Sequence, residues 1–181
     1  TGVSNVTVRD IYFDNNYAGI FAIKATNVTL QNNLIVNQKQ NGVYVYYGSS
    51  VNVLNNTIDR NVKMRGVYVY KTGKLVVKNN LVTNNYSGVY CYSVPSGYVM
   101  TYNDVWKNTS KNYSGCKAGT GSKAVDPKYA GVGADEMEKH ELQSSSPVMT
   151  AGENGTRMGW TRPADAPDVT AEPIKLVNGV F

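Results

Sequence analysis

The chain has 181 residues, enough for one ordinary domain, and only 17% of them are charged. Asn, Gly, Thr, Val and 14 tyrosines dominate, a mixture that disfavours helices and suits short strands between polar turns. No apolar run reaches the ~18 residues of a membrane-spanning helix, and residue 1 opens directly into a repeat with no visible signal peptide, as if the numbering began after processing or inside a longer protein. The net charge of +5 is unevenly spread: residues 1–118 carry 12 Lys/Arg against 4 Asp/Glu, residues 119–181 carry 6 against 9. A basic front half suits an acidic polymer such as a uronate-rich polysaccharide, and equally a solvated surface. The cations are dispersed along the chain rather than clustered, which argues against nucleic acid as a partner.

Taken in order, residues 5–118 read as stacked rungs. The first strand of each rung is Val6-Thr7-Val8, then Val28-Thr29-Leu30, Val51-Asn52-Val53, Leu75-Val76-Val77 and Val99-Met100-Thr101. Alternation within these triplets predicts one buried face. Shortly after each comes a polar corner, Asp10, Asn32, Asn55, Asn79 and Asn103, recurring at a nearly constant period in the low twenties. Stacked corners of this kind are expected to form a polar ladder of side-chain hydrogen bonds. Further along each rung lie Phe13, Ile35, Ile58, Val82 and Trp106, and then an Asn-rich bend. The most regular strand closes the rung: Gly42-Val43-Tyr44-Val45-Tyr46, Gly66-Val67-Tyr68-Val69-Tyr70 and Gly88-Val89-Tyr90-Cys91-Tyr92, with a weaker copy at Gly19-Ile20-Phe21-Ala22-Ile23. The glycines Gly19, Gly42, Gly66 and Gly88 keep the same period as the corners, and a fixed period of this length signals a solenoid. Glycine at this corner is expected to supply a tight or left-handed backbone.

After Trp106 the repeat degrades, with Asn112-Tyr113-Ser114-Gly115 suggesting one last irregular rung. The chain therefore divides into β-helix rungs over 1–118 and an irregular C-terminal capping segment and tail over 119–181. Within the latter, Asp135-Glu136-Met137-Glu138 reads as a helical turn capping the open end of the solenoid. Residues 161–173 hold three of the six prolines and read as extended, and Ile174-Lys175-Leu176-Val177 reads as a short strand.

These corners, the Gly-[Ile/Val]-Tyr strands and the period resemble right-handed parallel β-helix repeat proteins of the pectate-lyase-like superfamily. Tyr102-Asn103-Asp104-Val105-Trp106, Asp126-Pro127-Lys128-Tyr129 and Leu142 with Ser145-Ser146-Pro147-Val148 and Ala151-Gly152 are similar to the closing segments of secreted members. The resemblance covers roughly residues 5–160 and implies an all-β, right-handed parallel β-helix, a single-stranded solenoid of about five rungs, from a secreted or cell-surface protein. It does not settle an activity, because the superfamily includes lyases, hydrolases, epimerases and structural proteins.

Within the tyrosine strand, alternation sends Val43, Val45, Val67, Val69, Val89 and Cys91 inward and the tyrosines outward. Tyr44, Tyr68 and Tyr90 then form one outer column and Tyr46, Tyr70 and Tyr92 a second, extended by Phe21 and Ile23. Such a face fits stacking against sugar rings, contact with another protein, or simple stabilisation of the sheet by its neighbours. Lys39, Arg60, Lys63, Arg65, Lys71 and Lys74 are the nearby cations. The resemblance implies that a polysaccharide lyase would draw its base and carboxylate-neutralising cation from Lys63 and Arg65, against the alternative of solvated turn cations. Asp10, Asp14, Asp59 and Asp104 offer no recognisable glycosidase pair, and Asp10 and Asp104 read as structural corners. No cofactor is expected; calcium could use clustered Asp, Asn and backbone oxygens, although no calcium-loop spacing is present, and His140 reads as a surface residue. Cys91 and Cys116 lie about one rung apart in the sequence. They are either a disulfide tying the last turn to the repeats or two buried thiols. Seven Asn-x-Ser/Thr sequons begin at Asn5, Asn27, Asn55, Asn85, Asn108, Asn112 and Asn154.

The leading expectation is an extracellular, non-catalytic carbohydrate-recognising β-helix that uses the tyrosine face and neighbouring cations. A structural subunit that meets other copies in an assembly, and a lyase acting on a uronate polymer, are the alternatives.

Overall fold

The computed structural model describes residues 3–164. The strand expected at 174–177, and all but the first residues of the proline-rich stretch, lie outside the described residues. Thirteen strands follow in chain order: β1 (Ser4–Arg9), β2 (Tyr12–Asp14), β3 (Ile20–Ile23), β4 (Thr26–Gln31), β5 (Leu34–Val36), β6 (Val43–Leu54), β7 (Thr57–Asp59), β8 (Arg65–Lys78), β9 (Leu81–Thr83), β10 (Ser87–Tyr92), β11 (Val99–Thr101), β12 (Asp104–Trp106) and β13 (Lys111–Ser114). Every pairing between them is parallel. One sheet runs β1-β4-β6-β8-β10-β13, with β3 beside β6 and β11 beside β8; the other runs β12-β9-β7-β5-β2. The result is a β-solenoid of about five turns, whose interior is filled by Val28, Val51, Leu75, Val43, Val67, Ile35 and Ile58, each at most 2% exposed, and by their less fully buried equivalents in the end rungs.

The corners work differently from the expected pattern. Asp10, Asn32, Asn55 and Asn79 hold left-handed backbone, with φ between 52° and 59°, a region where short polar side chains are favoured. The hydrogen-bond ladder runs one residue later, through Asn33, Asn56, Asn80 and Asn103, each wholly buried. The Oδ1 of Asn56 accepts from the backbone N–H and the Nδ2 of Asn33, at 3.0 and 2.9 Å. Its own Nδ2 donates to Asn80 Oδ1 and to the carbonyls of Leu30 and Leu54. Asn80 and Asn103 repeat the arrangement. Of the expected ladder only Asn103 belongs to this buried one; Asn32 donates to Asp10 Oδ1 at 2.7 Å on the outer corner, and Asp10, Asn32, Asn55 and Asn79 turn the chain so that the next residue points inward.

A single slip explains the mismatch. In the last rung Met100 pairs with Val77 and Val105 with Val82. Asn103 therefore stands one rung after Asn80, not after Asn79, and Tyr102 takes the left-handed corner (φ 55°). Shifting a strand by one residue exchanges its faces, which is why Val99 is 36% exposed while Met100 is buried, and why Val105, not Trp106, enters the core.

A second buried ladder was hidden in the Asn-rich bend. Gln38, Asn61, Asn85, Asn108 and Asn112 bond in sequence, Asn61 Oδ1 accepting from Gln38 N at 2.8 Å and Asn85 Oδ1 from Asn61 Nδ2 at 2.8 Å. The glycines opening the tyrosine strands are not left-handed either. A Cβ on Gly42 would sit 2.5 Å from Ile58 Cγ2, and one on Gly66 would sit 2.5 Å from Val82 Cγ1. Close approach to the opposite sheet is what requires glycine here.

The described part of the C-terminal segment, residues 119–164, does not plug an end of the solenoid. It straps the outer face of the β2-β5-β7-β9-β12 sheet, where Met137 and Trp160 pack on Leu34 and Val36, and Val148 and Met158 pack on Leu81. Asp135 does cap a one-turn helix, α1 (Glu136–Lys139), its carboxylate accepting from Glu138 N at 2.8 Å. Beside the first described rung lies an apolar hollow of about 270 Å3 lined by Val6, Val8, Ile20, Ala22, Val28 and Leu30.

The ladder register is checked by two neighbouring substitutions. Asn56→Ala strands the Leu30 carbonyl and the Asn33 N–H in the core and is expected to lower unfolding free energy by about 3 kcal/mol. Asn55→Gly keeps the left-handed corner and is expected to cost less than about 1 kcal/mol. Equal losses in urea unfolding would place the ladder elsewhere.

Candidate functional site

The parity of β6, β8 and β10 is as read from the sequence. Val43, Val45, Val67 and Val69 are fully buried, Val89 and Cys91 nearly so, and Tyr44, Tyr68 and Tyr90, then Tyr46, Tyr70 and Tyr92, are brought into two outward columns by the parallel register. Their rings mostly face one another. Tyr46 stacks on Tyr70 at 5.1 Å and Tyr70 on Tyr92 at 4.9 Å, the latter almost coplanar in orientation (2°). Tyr44 stacks on Tyr68 at 4.8 Å, and Phe21 meets Tyr44 edge-on at 5.2 Å. The columns therefore present ring edges and hydroxyls, repeated once per rung at ~4.8 Å, rather than a row of open ring faces. Tyr92 differs: it ends its column and is 50% exposed.

Two cations are set into this face. The Arg65 guanidinium lies 4.5 Å from the ring centres of both Tyr68 and Tyr90, a cation–π geometry that fixes the charge in place. Lys71 reaches back over Tyr47 and Tyr70, at 5.1 and 5.6 Å, and its Nζ donates to Tyr47 Oη at 3.3 Å. That hydrogen bond, with the neighbouring phenols, raises the Lys71 pKa and holds its charge. Desolvation raises the Tyr44 and Tyr70 hydroxyls as well, so both stay protonated donors near neutral pH. Tyr47 extends the site beyond the residues predicted, while Lys71 is one of the expected neighbouring cations; both hold left-handed backbone within β6 and β8, Tyr47 at φ 56° and Lys71 at φ 54°, which turns their side chains onto the same surface. The signal available for Tyr47 was its place directly after Tyr46.

Among the described residues no carboxylate shares the face. Asp10 accepts from Asn32 at a corner, Asp14 accepts from Asn37, and Asp59 and Asp104 are buried beneath the C-terminal strap. Lys63 is not brought to this surface beside Arg65: it lines a separate cleft of about 300 Å3 with Lys39, Arg60 and Val62. The pair expected of a lyase is thus divided between two surroundings.

His140, expected at the surface, is 2% exposed. Its Nε2 meets Asp59 Oδ2 at 3.0 Å and its Nδ1 meets the Glu136 carbonyl. Asp59 also accepts from Thr83 Oγ1 and Asn84 Nδ2, Arg60 bridges to Glu136, and Tyr129 Oη contacts Thr83 Oγ1 at 3.1 Å. This buried network fastens the strap to β7 and β9 and is closed to substrate. Cys91 and Cys116 are two buried free thiols in direct interaction. Among the described residues there is no cluster of three or more His, Cys, Asp or Glu able to hold a metal ion, and no helix long and apolar enough to cross a membrane.

With this geometry in view, residues 1–105 match the family model described as the right handed beta helix region, and the chain belongs to that family. No curated protein and no solved structure matched the chain.

One buried acid gives a pH-dependent signature. Asp104 Oδ1 accepts from Val125 N at 2.9 Å, but Oδ2 has no hydrogen-bond partner. Burial raises its pKa to about 6, the Val125 N–H and Lys123 pulling the other way and Asp126 adding to the rise. Because the folded state keeps a proton that the unfolded chain has already released, stability falls as pH rises from about 4 to 6. Asp104→Asn is expected to unfold at higher urea than wild type at pH 7.5, by up to about 3 kcal/mol, and to match it near pH 4. A difference independent of pH would contradict this assignment.

Proposed function

We propose that the protein is a non-catalytic, extracellular carbohydrate-binding β-helix, and that the tyrosine face takes an extended polysaccharide running along the solenoid axis. The observation that carries this reading is the combination on one sheet face of tyrosine hydroxyls repeated at rung spacing and two ring-anchored cations, with no acid there among the described residues. Hydroxyl donors at ~4.8 Å intervals suit a polymer that offers oxygen acceptors along its length, and Tyr92 supplies the ring face on which a terminal pyranose would rest. Arg65 and Lys71 favour chains bearing carboxylate or sulfate groups. The absence of a carboxylate pair on this face, and the separation of Lys63 from Arg65, favour binding over hydrolysis or elimination.

A second reading is a structural subunit that meets another copy through the same tyrosine face, since stacked tyrosines also suit contact with a protein surface. Both readings are separated by one set of proteins. On a glycan array, wild type is expected to bind an extended polysaccharide and Tyr70→Ala with Tyr92→Ala to lose at least about tenfold in affinity, while sedimentation stays monomeric for all. Wild type that binds no glycan but associates with rising concentration would replace the recognition reading by the assembly reading.

A further inference from the structure

The tyrosine face ends at β10, and what lies against the far side of β10 is the irregular last turn. Residues 111–114 form the edge strand β13, pairing Val89 with Tyr113 and Tyr90 with Ser114. The next residue, Gly115, lies directly against Cys91: a Cβ on Gly115 would be 1.8 Å from the Cys91 carbonyl oxygen, and its φ of +69° turns the chain inward. That turn places the Cys116 side chain inside the solenoid, with Sγ 3.9 Å from the Val89 carbonyl and 3.7 Å from that of Ser114. Cys91 points into the same space from β10, and the two side chains are 3% and 8% exposed in one apolar cluster. The register of β10 and β13 continues to set Gly115 opposite Cys91, so Cys116 is its diagonal neighbour on the adjacent rung; an offset of ~3.3 Å along the strand added to the ~4.8 Å rung spacing still falls inside the Cα span that a disulfide bridges. The thiols act on each other directly: the contact raises the Cys91 thiol and lowers that of Cys116.

We infer that Cys91 and Cys116 are an oxidative staple, a pair that closes into a disulfide and locks the last turn under the Tyr90–Tyr92 end of the aromatic face. The oxidant is a small-molecule disulfide. When the edge strand opens, the Cys116 thiolate attacks one sulfur of that disulfide and displaces one thiolate, leaving a mixed disulfide. The Cys91 thiolate then attacks Cys116 Sγ and displaces the second, so the protein loses two hydrogens and the reagent gains two. Cys116 is the entry point because it lies on the edge turn and carries the lower pKa of the pair, whereas Cys91 sits on a strand paired on both sides. Closure fixes in place the turn that covers β10, and so the seating of Tyr92, which has no stacked partner beyond it among the described residues.

The test treats the folded full chain with excess oxidised glutathione, then denatures and alkylates it for mass spectrometry. The expected result is a monomer about 2 Da lighter than the reduced chain, resistant to alkylation, with a peptide pair joined through Cys91 and Cys116, and a melting temperature higher than that of the reduced form by roughly 5–10 °C. Amide exchange at residues 111–116 is expected to slow on oxidation. Cys91→Ala, which keeps a small apolar side chain inside, is expected to fold and to stop at the glutathione adduct on Cys116. Two thiols still open to alkylation, a wild type that stops at mixed adducts, or an intermolecular dimer would each overturn the inference.

Discussion

Side-chain amide ladders are the interaction on which the rest of the structure depends. A solenoid turn bends its backbone at every corner, and each bend leaves N–H and C=O groups that neither neighbouring strand satisfies. Asn33, Asn56, Asn80 and Asn103 settle those groups at one corner, and Gln38, Asn61, Asn85 and Asn108 at another. One amide accepts from the backbone of the rung below and donates to the amide above, so a rung out of register would leave several buried polar groups unpaired at once. Hydrophobic burial drives the stacking, but Val, Ile and Leu would tolerate many alignments. The ladders select one.

That selection is what builds the outward face. With the rungs locked, residues separated by one period must lie side by side, and a tyrosine repeated at the same phase becomes a column. The columns then hold themselves rigid through ring stacking, and they hold Arg65 and Lys71 through cation–π contacts. The functional character of the surface follows: tyrosines engaged with one another cannot all serve as sugar platforms, yet their hydroxyls are lined up with little conformational freedom left to lose on binding.

The fold was legible because its signals repeat. Glycine, valine and tyrosine at a constant phase define the period, and alternation within β6, β8 and β10 decides which side chains face out. What the sequence concealed were distinctions of a single residue. Asn55 and Asn56 are chemically identical, and only backbone φ separates the one that turns the chain from the one that bonds inside it. The last rung inserted an irregular loop before β11, and an alternation of apolar residues there, Val99 beside Met100, fitted either parity. His140 and Asp59 are far apart in the chain and belong to different layers, so nothing local to either residue pointed to their contact. The strap was misplaced for a related reason: a charged helix turn with a single apolar residue, Met137, shows that something is covered, but not which surface. The ring orientations of the tyrosines also lay beyond sequence, since alternation gives the side of the sheet and not the torsion of the ring.

The central claim is that the stacked tyrosine columns are a recognition surface and not only a stabilising one. It is tested most directly by nuclear magnetic resonance of the chain with isotope-labelled tyrosines, titrated with a uronate oligosaccharide and with a neutral oligosaccharide of equal length. The account predicts saturable shifts for Tyr46, Tyr70 and Tyr92, larger with the uronate chain, while Tyr102 and Tyr129 beneath the strap stay unmoved. Shifts absent from all three column tyrosines with either sugar, or confined to residues away from the face, would contradict it.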